Sequence, residues 1–208
     1  METKNEVVIT IDPAKTALLM LHWQKDTADP ASRISGYLPQ RLKAAHIIEN
    51  TQAVLKASRE KGIPVIYVNA NHRPGYPEVG PRPYPLANHL AGAGVLVRGS
   101  WGAEVIESLR PVAGDIIVDN YSSSGFCYTD LDLILHNKGV TDIVLSGIAT
   151  NWAVESTARD GANRGYFVYT LKDCCASLTD EMHNWTLTNI LPSLGAVLSA
   201  EEYIAALS

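Results

Sequence analysis

The sequence predicts a three-layer α/β/α domain, doubly wound around a mainly parallel sheet of about six strands. Short runs such as ALLMLH (17–22) and PVIYVN (64–69) are almost entirely apolar, which is typical of parallel strands covered on both faces. Helical patterns alternate with these runs to the end of the chain. Right-handed crossovers between parallel strands then put helices on both sides of the sheet.

The first 119 residues supply three of the predicted strands. ALLMLH (17–22) predicts a buried strand, and the apolar spacing in 40–61 predicts an amphipathic helix that ends before Gly62. PVIYVN (64–69) and DIIVD (115–119) predict the next two strands.

The second half repeats the alternation at shorter intervals. TDLDLILHN (129–137) predicts a helix that ends at Gly139, DIVLS (142–146) a strand, and 151–163 a helix before Gly165. Residues 166–171 predict a fifth strand, 180–194 a helix, 196–199 a short strand and 200–207 a last helix. The sequence therefore predicts a single domain over residues 1–208.

One segment, 71–100, fits neither pattern. It carries several glycines and the prolines at 74, 77, 81, 83 and 85. A loop of this length in a compact domain is usually a lid, a binding loop or a subunit contact, and we expect one of these roles here.

Composition excludes several classes of function. The 208 residues are 46% hydrophobic and 19% charged, with a net charge of -5 and a pI of about 5.6, which argues against nucleic acid or anionic membrane as a partner. Three cysteines do not form a disulfide framework. With neither a secretory signal nor an apolar run of about 18 residues, we expect a cytoplasmic protein.

In doubly wound domains, ligands bind beyond the carboxyl ends of the strands. The residues at those ends are 22–24, 69–73, 120–121 and 147–153. The phosphate-binding patterns GxGxxG and GxxxxGK[ST] are absent there, so we expect no nucleotide cofactor. The six histidines, at 22, 46, 72, 89, 136 and 183, lack a compact ligand spacing, and we predict no metal.

Several of these residues have both a chemical and a structural interpretation. His22 ends a buried strand and is either an acid–base group or a hydrogen-bonded core imidazole. Cys127 precedes a predicted helix and is either a nucleophile or a structural thiol. Cys174 and Cys175 are adjacent and are either packed or form a labile pair. The turn Gly147–Asn151 enters a helix, where backbone amides bind anions or an oxyanion, or where Thr150 or Asn151 caps the helix; both can hold together.

Three motifs carry a resemblance to a known family. They are ALLMLHWQKD (17–26), SGFCYTDLDLIL (124–135) and LSGIATNWAVESTARDGANRGY (145–166). From about Thr16 to Leu207 the chain resembles the isochorismatase-like hydrolases, which include the nicotinamidase-type cysteine amidohydrolases. The resemblance implies a parallel sheet of about six strands, a homodimer or homotetramer, and a cis peptide bond before Ala149.

The amidohydrolases of this family use an Asp base, a Lys and a Cys nucleophile. By position in the motifs, the Asp corresponds to His22, the Lys to Asn120 and the Cys to Ala153. A buried charge without an opposite charge beside it costs several kcal/mol, so the loss of one of the three charged groups would destabilise the other two. All three replacements can be neutral at pH 7, which indicates a pocket that has lost its charges together. Ala153 rules out covalent thiol catalysis at this position. The segment NANHRPGYPEVG (69–80) does not match the spacing of the zinc-binding members.

Two functions follow from these replacements. In the first, the chain is a hydrolase without a thiol, which binds a small carbonyl, amide or carboxylate compound and uses His22 as acid or base, including a protonated form that donates a proton. In the second, it is an inactive binding or scaffold protein. In both, the ligand-contacting residues are Trp23, Gln24, Tyr121, Ile148, Ala149 and Trp152. A third alternative makes Cys127 a new nucleophile.

Overall fold

A six-stranded parallel sheet runs through the structure, a computed structural model that describes residues 9–36 and 38–208. The strands are β1 (Thr16–Leu21), β2 (Val65–Ala70), β3 (Ile116–Asn120), β4 (Asp142–Ile148), β5 (Phe167–Ala176) and β6 (Gly195–Leu198). Their order is β3-β2-β1-β4-β5-β6, with all neighbours parallel. The predicted sheet is confirmed, and the strand order reverses at β1 and β4, where such folds bind ligands.

Helices connect the strands. They are α1 (Lys25–Ala28), α2 (Leu38–Ala44), α3 (Ile47–Glu60), α4 (Pro85–Ala93), α5 (Leu131–Asn137), α6 (Glu155–Asn163), α7 (Asp180–Asn189) and α8 (Ala200–Ala206).

Strand β1 lies at the centre of the three layers. All six of its residues are buried. Leu18 and Met20 pack into the core on one face of the sheet, whereas Leu19 and Leu21 pack into the core on the other. Because side chains alternate along a strand, the apolar run that follows Thr16 supplies both cores, as the sequence predicted.

Two predicted helices are interrupted. The helix predicted over 40–61 is divided into α2 and α3, because His46 adopts a left-handed backbone conformation with φ of 51° that ends a regular helix. The helix predicted over 180–194 ends at Asn189 and gives way to a 3-10 turn, Leu191–Ser193, that contains Pro192, a residue that cannot continue the hydrogen-bond ladder.

Two further differences affect the site. The segment 71–100 is not irregular throughout, since it contains α4, which has Pro85 in its first turn and ends at Gly94 with φ of 66°. Strand β5 does not end at Leu171. After an irregularity in the register it pairs with β4 again, Cys175 opposite Gly147, so that Cys174 and Cys175 lie within the strand.

Candidate functional site

A cavity of ≈ 210 Å³ lies at the carboxyl ends of β1 and β4, beneath the segment 71–100. Its lining is mostly apolar. The lining residues are His22, Thr27, Ile34, Leu38, Ala70, His72, Tyr84, Leu86, Ala87, His89, Leu90, Leu96, Tyr121, Ser122, Ser123, Ile148, Ala149, Trp152, Ala153 and Leu178. Among the described residues, no Asp, Glu, Lys or Arg lines this cavity. The cavity is therefore suited to an uncharged ligand, because a charged one would lose its hydration without gaining a counter-ion.

His22 occupies the end of β1 with an unusual backbone. Its φ is 54°, in the left-handed region that residues other than glycine rarely adopt. Its amide donates to the carbonyl oxygen of Val68 at 2.9 Å, and its own carbonyl oxygen accepts from the Thr27 hydroxyl at 2.6 Å. These bonds hold the turn that directs the imidazole into the cavity wall.

The His22 ring is a neutral group at pH 7. Burial lowers the pKa of His22 to about 4, the Asn120 carboxamide opposes this, and the nearby His72 adds to it. Nε2 is completely buried and, among the described residues, has no hydrogen-bond partner; Asn120 is close without meeting the geometry of a hydrogen bond. An unprotonated ring can accept a proton, but its lowered pKa makes it a weaker base than an ordinary histidine. The protonated His22 that donates a proton stays a prediction, and burial of the ring disfavours it.

Asn120 lies beside the cavity rather than on its surface. Its buried carboxamide donates from Nδ2 to the carbonyl oxygen of Ser124 at 2.7 Å and accepts from the amide of Ser122 at 3.1 Å. Asn120 therefore shapes the loop after β3, which brings Tyr121 into the cavity lining.

The chain leaves β4 through a π-helical turn, Thr150–Val154, before α6. The Ile148–Ala149 peptide bond is cis, as the resemblance implied. The amides of Trp152 and Val154 both donate to the carbonyl oxygen of Ala149, at 3.0 and 3.2 Å. This turn presents Ile148, Ala149, Trp152 and Ala153 to the cavity. Trp152 is 43% exposed and forms part of the rim.

Trp23 and Gln24 do not line the cavity, which corrects the expectation that they contact a ligand. Trp23 is fully buried, and its Nε1 donates to the Ser146 hydroxyl at 3.1 Å. Gln24 donates from Nε2 to the carbonyl oxygens of Ala70 and Ala103, at 2.6 and 2.8 Å, and accepts from the Ala70 amide at 2.8 Å. Both side chains point into the packed interior, where they join β1 to its neighbours.

The sequence pattern did not single out a second imidazole in the cavity, His72. It is 6% exposed, and its Nδ1 lies 3.1 Å from Oε1 of Glu78. The contact between Glu78 and His72 depends on how the loop folds and could not be predicted from the sequence. The position of a histidine directly after β2 could have indicated a site residue. The segment 71–100 also supplies the lining from Tyr84 to Leu90, which the sequence did not resolve into a helix.

None of the three cysteines lines the cavity. Cys174 and Cys175 are fully buried, and burial raises the pKa of the Cys175 thiol to about 12 and that of Cys174 further. Two such thiols are poor nucleophiles. Cys127 is partly exposed and its amide donates to the carbonyl oxygen of Ser124 at 3.2 Å. Its position gives the alternative of a new nucleophile no support.

Across residues 9–36 and 38–208, no three His, Cys, Asp or Glu side chains are grouped as metal ligands. Within those ranges, every helix is too short or too polar to cross a membrane. The expected homo-oligomer and cytoplasmic location stay predictions. The expected lack of a secretory signal concerns in part residues 1–8, which lie outside the described residues.

Comparisons with known proteins agree on the family. The sequence matches the Isochorismatase domain over residues 16–202. It is 34% identical over 215 residues to the ureidoacrylate amidohydrolase RutB of Methylobacterium radiotolerans, across 96% of this chain and 82% of that protein. The same enzyme of Acinetobacter baylyi is 32% identical over 213 residues, across 94% and 85%. A cysteine hydrolase from Pseudomonas syringae pv. phaseolicola 1448A has a TM-score of 0.85 and 28% identity, across 97% of both chains.

Proposed function

The chain belongs to the isochorismatase family, and we propose that it binds a small, uncharged amide or carbonyl compound and hydrolyses it without a thiol nucleophile. The observation that carries the proposal is the neutral His22 imidazole, which lines a cavity without charged side chains among its described residues. An imidazole that is unprotonated at pH 7 is a group that can take a proton from water.

The cavity narrows the class of substrate. The sequence allowed carbonyl, amide and carboxylate compounds, but no Lys or Arg among the described lining residues would neutralise a carboxylate. We therefore favour a neutral compound. An amide is supported by the name of the two curated relatives, ureidoacrylate amidohydrolase.

The reaction needs only a water molecule and the residues of the cavity. His22 takes a proton from water, and the water oxygen bonds to the carbonyl carbon, where Ala153 offers no competing nucleophile. The charge that develops on the carbonyl oxygen is stabilised by backbone amides of the turn that begins at Ala149. The carbon–nitrogen bond then breaks and the leaving nitrogen takes up one proton, which balances the proton that His22 received from water and returns to solvent. The products are an acid and an amine.

The replacement His22→Gln tests this role. Glutamine keeps a polar side chain of similar length but cannot serve as a base, so we expect kcat for p-nitroacetanilide to fall about 100-fold with KM changed little. Release of p-nitroaniline measures the rate. The matched control is His136→Gln, because His136 is exposed on α5. Full activity of the His22 variant would refute the role of His22, and an inactive wild-type protein would refute hydrolysis of this class.

A second candidate function, binding without turnover, is favoured by one observation. Asn120, at the position of the family's Lys, is hydrogen-bonded to the loop that follows β3. Ala153, at the position of the family's Cys, presents only a methyl group to the cavity. In that case acetanilide binds saturably in calorimetry while neither it nor p-nitroacetanilide is hydrolysed. Measuring binding and turnover on the same preparation separates the two functions.

A further inference from the structure

We propose that His72 is a second acid–base residue of this cavity, which supplies the proton to the leaving nitrogen, and that Glu78 is the positioning residue that orients it. The proposal rests on the proposed hydrolysis and assigns a step that the first proposal leaves without a donor.

His72 is fixed on both its backbone and its ring. Its amide donates to the carbonyl oxygen of Leu96 at 2.9 Å, and its carbonyl oxygen accepts from the amide of Arg98 at 2.7 Å. The ring is near those of Tyr76 and Tyr121, with centroid distances of 5.2 and 6.4 Å. A group held in this way loses little entropy when it meets a substrate.

Glu78 determines which ring nitrogen faces a ligand. Its Oε1 lies 3.1 Å from Nδ1 of His72 and accepts from the Arg73 amide at 2.9 Å. Although burial opposes it, these bonds and one from its own amide hold the pKa of Glu78 below its usual value. Glu78 is therefore a carboxylate at pH 7, and its Oε2 also lies 3.6 Å from Nη1 of the Arg73 guanidinium. Since a carboxylate only accepts, Nδ1 of His72 carries the hydrogen and Nε2 remains for the ligand.

The imidazoles of His22 and His72 have opposite surroundings, and the third histidine of the lining, His89, is exposed on α4. Nε2 of His22 has no polar partner among the described residues, whereas His72 has a carboxylate against its ring. A carboxylate in this position stabilises the positive charge that an imidazole acquires with a second proton. His72 is also close enough for its charge to act on His22. A buried imidazole without a polar partner and an imidazole held by a carboxylate are suited to opposite roles, the first as proton acceptor and the second as proton donor.

The proton balance closes over one turnover. His22 accepts a proton from the attacking water, and the imidazolium of His72 donates one from Nε2 as the carbon–nitrogen bond breaks. The products are a carboxylic acid and an amine. After their release, the proton on His22 passes through solvent to His72, which restores both residues.

A pair of substrates that differ in the leaving atom tests the donor role. p-Nitroacetanilide and p-nitrophenyl acetate carry the same acyl and aryl groups, but nitrophenolate leaves without protonation, whereas nitroaniline needs a proton. We expect His72→Gln to lower kcat for the amide about 100-fold and for the ester less than about 3-fold. His22→Gln should lower both, because both need the base. A residue that only supports the fold would slow the two substrates alike.

The replacement Glu78→Gln tests the positioning role with the same readout. We expect a loss of about 10-fold on the amide and almost none on the ester, because the ring keeps a neighbour but loses its carboxylate. Glu49→Gln, on the exposed surface of α3, is the control. Thermal melting shows whether each variant is folded, and if His72→Gln does not fold, Glu78→Gln decides the question.

The outcomes separate the two proposals. Equal losses on amide and ester, or full activity of His72→Gln, overturn the role of His72 while hydrolysis stands. Wild-type protein that hydrolyses neither compound overturns the proposed function, and the donor role fails with it.

Discussion

The cavity has two sides that are built differently. Its floor is the end of β1 at His22 together with the turn 148–153, and both follow strands that are buried along almost their whole length. Its wall is the segment from Tyr84 to Leu90, mostly on α4, which has no buried residue. The floor is therefore fixed by the packing of the sheet, whereas the wall is held by few contacts and can change ligand fit without loss of the fold.

The replacement Gly147→Ala should break the floor and have the largest effect. A Cβ at Gly147 would lie 2.5 Å from both Cβ and the carbonyl oxygen of Leu21, so β4 would have to move away from β1. We expect a loss of about 3 kcal/mol in the free energy of unfolding, which lowers Tm by roughly 6–12 °C in a domain of this size. Calorimetry measures it. An unchanged Tm would mean that the two strands do not approach this closely.

The buried imidazole should make the floor sensitive to acid. The pKa of His22 is about 4 in the folded protein and about 6.5 in the unfolded chain. Below pH 6.5 the unfolded chain takes up the proton while the folded protein does not, so stability is present above pH 6.5 and is lost as the pH falls toward 4. At pH 4.5 we expect a loss of about 2.5 kcal/mol relative to pH 7 from this group.

Urea unfolding of wild type and His22→Gln at the two pH values measures this loss. Both proteins share the other titrating groups, so the difference between them isolates His22. Parallel losses in the two proteins would mean that His22 is protonated normally in the folded state.

A substitution in the wall should change the affinity for a ligand more than the stability of the fold. Leu86 lines the cavity from α4 and is only partly buried. We expect Leu86→Ala to raise the Kd for acetanilide about tenfold, because an apolar contact of the ligand is lost, and to change Tm by less than about 3 °C. Leu133→Ala, 61% exposed on α5, is the control for calorimetric titration. A large fall in Tm would show that the wall supports the fold.

The smallest effect is expected at Gly92, within α4. A Cβ there meets no atom within 4 Å, and its φ is not positive. Gly92→Ala should therefore raise the free energy of unfolding by about 0.5–1 kcal/mol, because alanine has less freedom to lose on folding. Gly92→Ala and Gly147→Ala form a matched pair, because the same substitution is expected to stabilise the protein on one side of the cavity and destabilise it on the other. Destabilisation here would show that α4 is more tightly packed than its exposure suggests.

The floor was largely predictable and the wall was not. Strand β1 is apolar at every position after Thr16, a pattern that depends on local sequence and on burial of both faces. From the strand ends alone, the sequence brought His22, Tyr121 and the turn 148–153 to one edge of the sheet. The helix α4 lies among prolines and small residues, with Pro85 in its first turn, Gly94 after its end and no buried residue, so the sequence offers no strong apolar pattern that predicts it.

The sequence pattern did not predict the direction of side chains that depends on packing. Trp23 and Gln24 follow His22 in the chain, but the left-handed conformation of His22 turns them toward the interior. The pairing of His72 with Glu78 was likewise missed, because it requires the loop after β2 to bend back over six residues.

The sequence by itself predicted the parallel sheet and the strand ends at which the cavity lies, and its resemblance to the family implied that His22, Asn120 and Ala153 stand where other members have Asp, Lys and Cys. These follow from periodicity and residue identity, which are properties of the chain. The tertiary structure alone decided that His22 is neutral, that the described cavity lining carries no Asp, Glu, Lys or Arg, and that a second imidazole with a carboxylate lies in the same cavity. Burial and the distance between groups determine protonation, and neither exists until distant segments pack together.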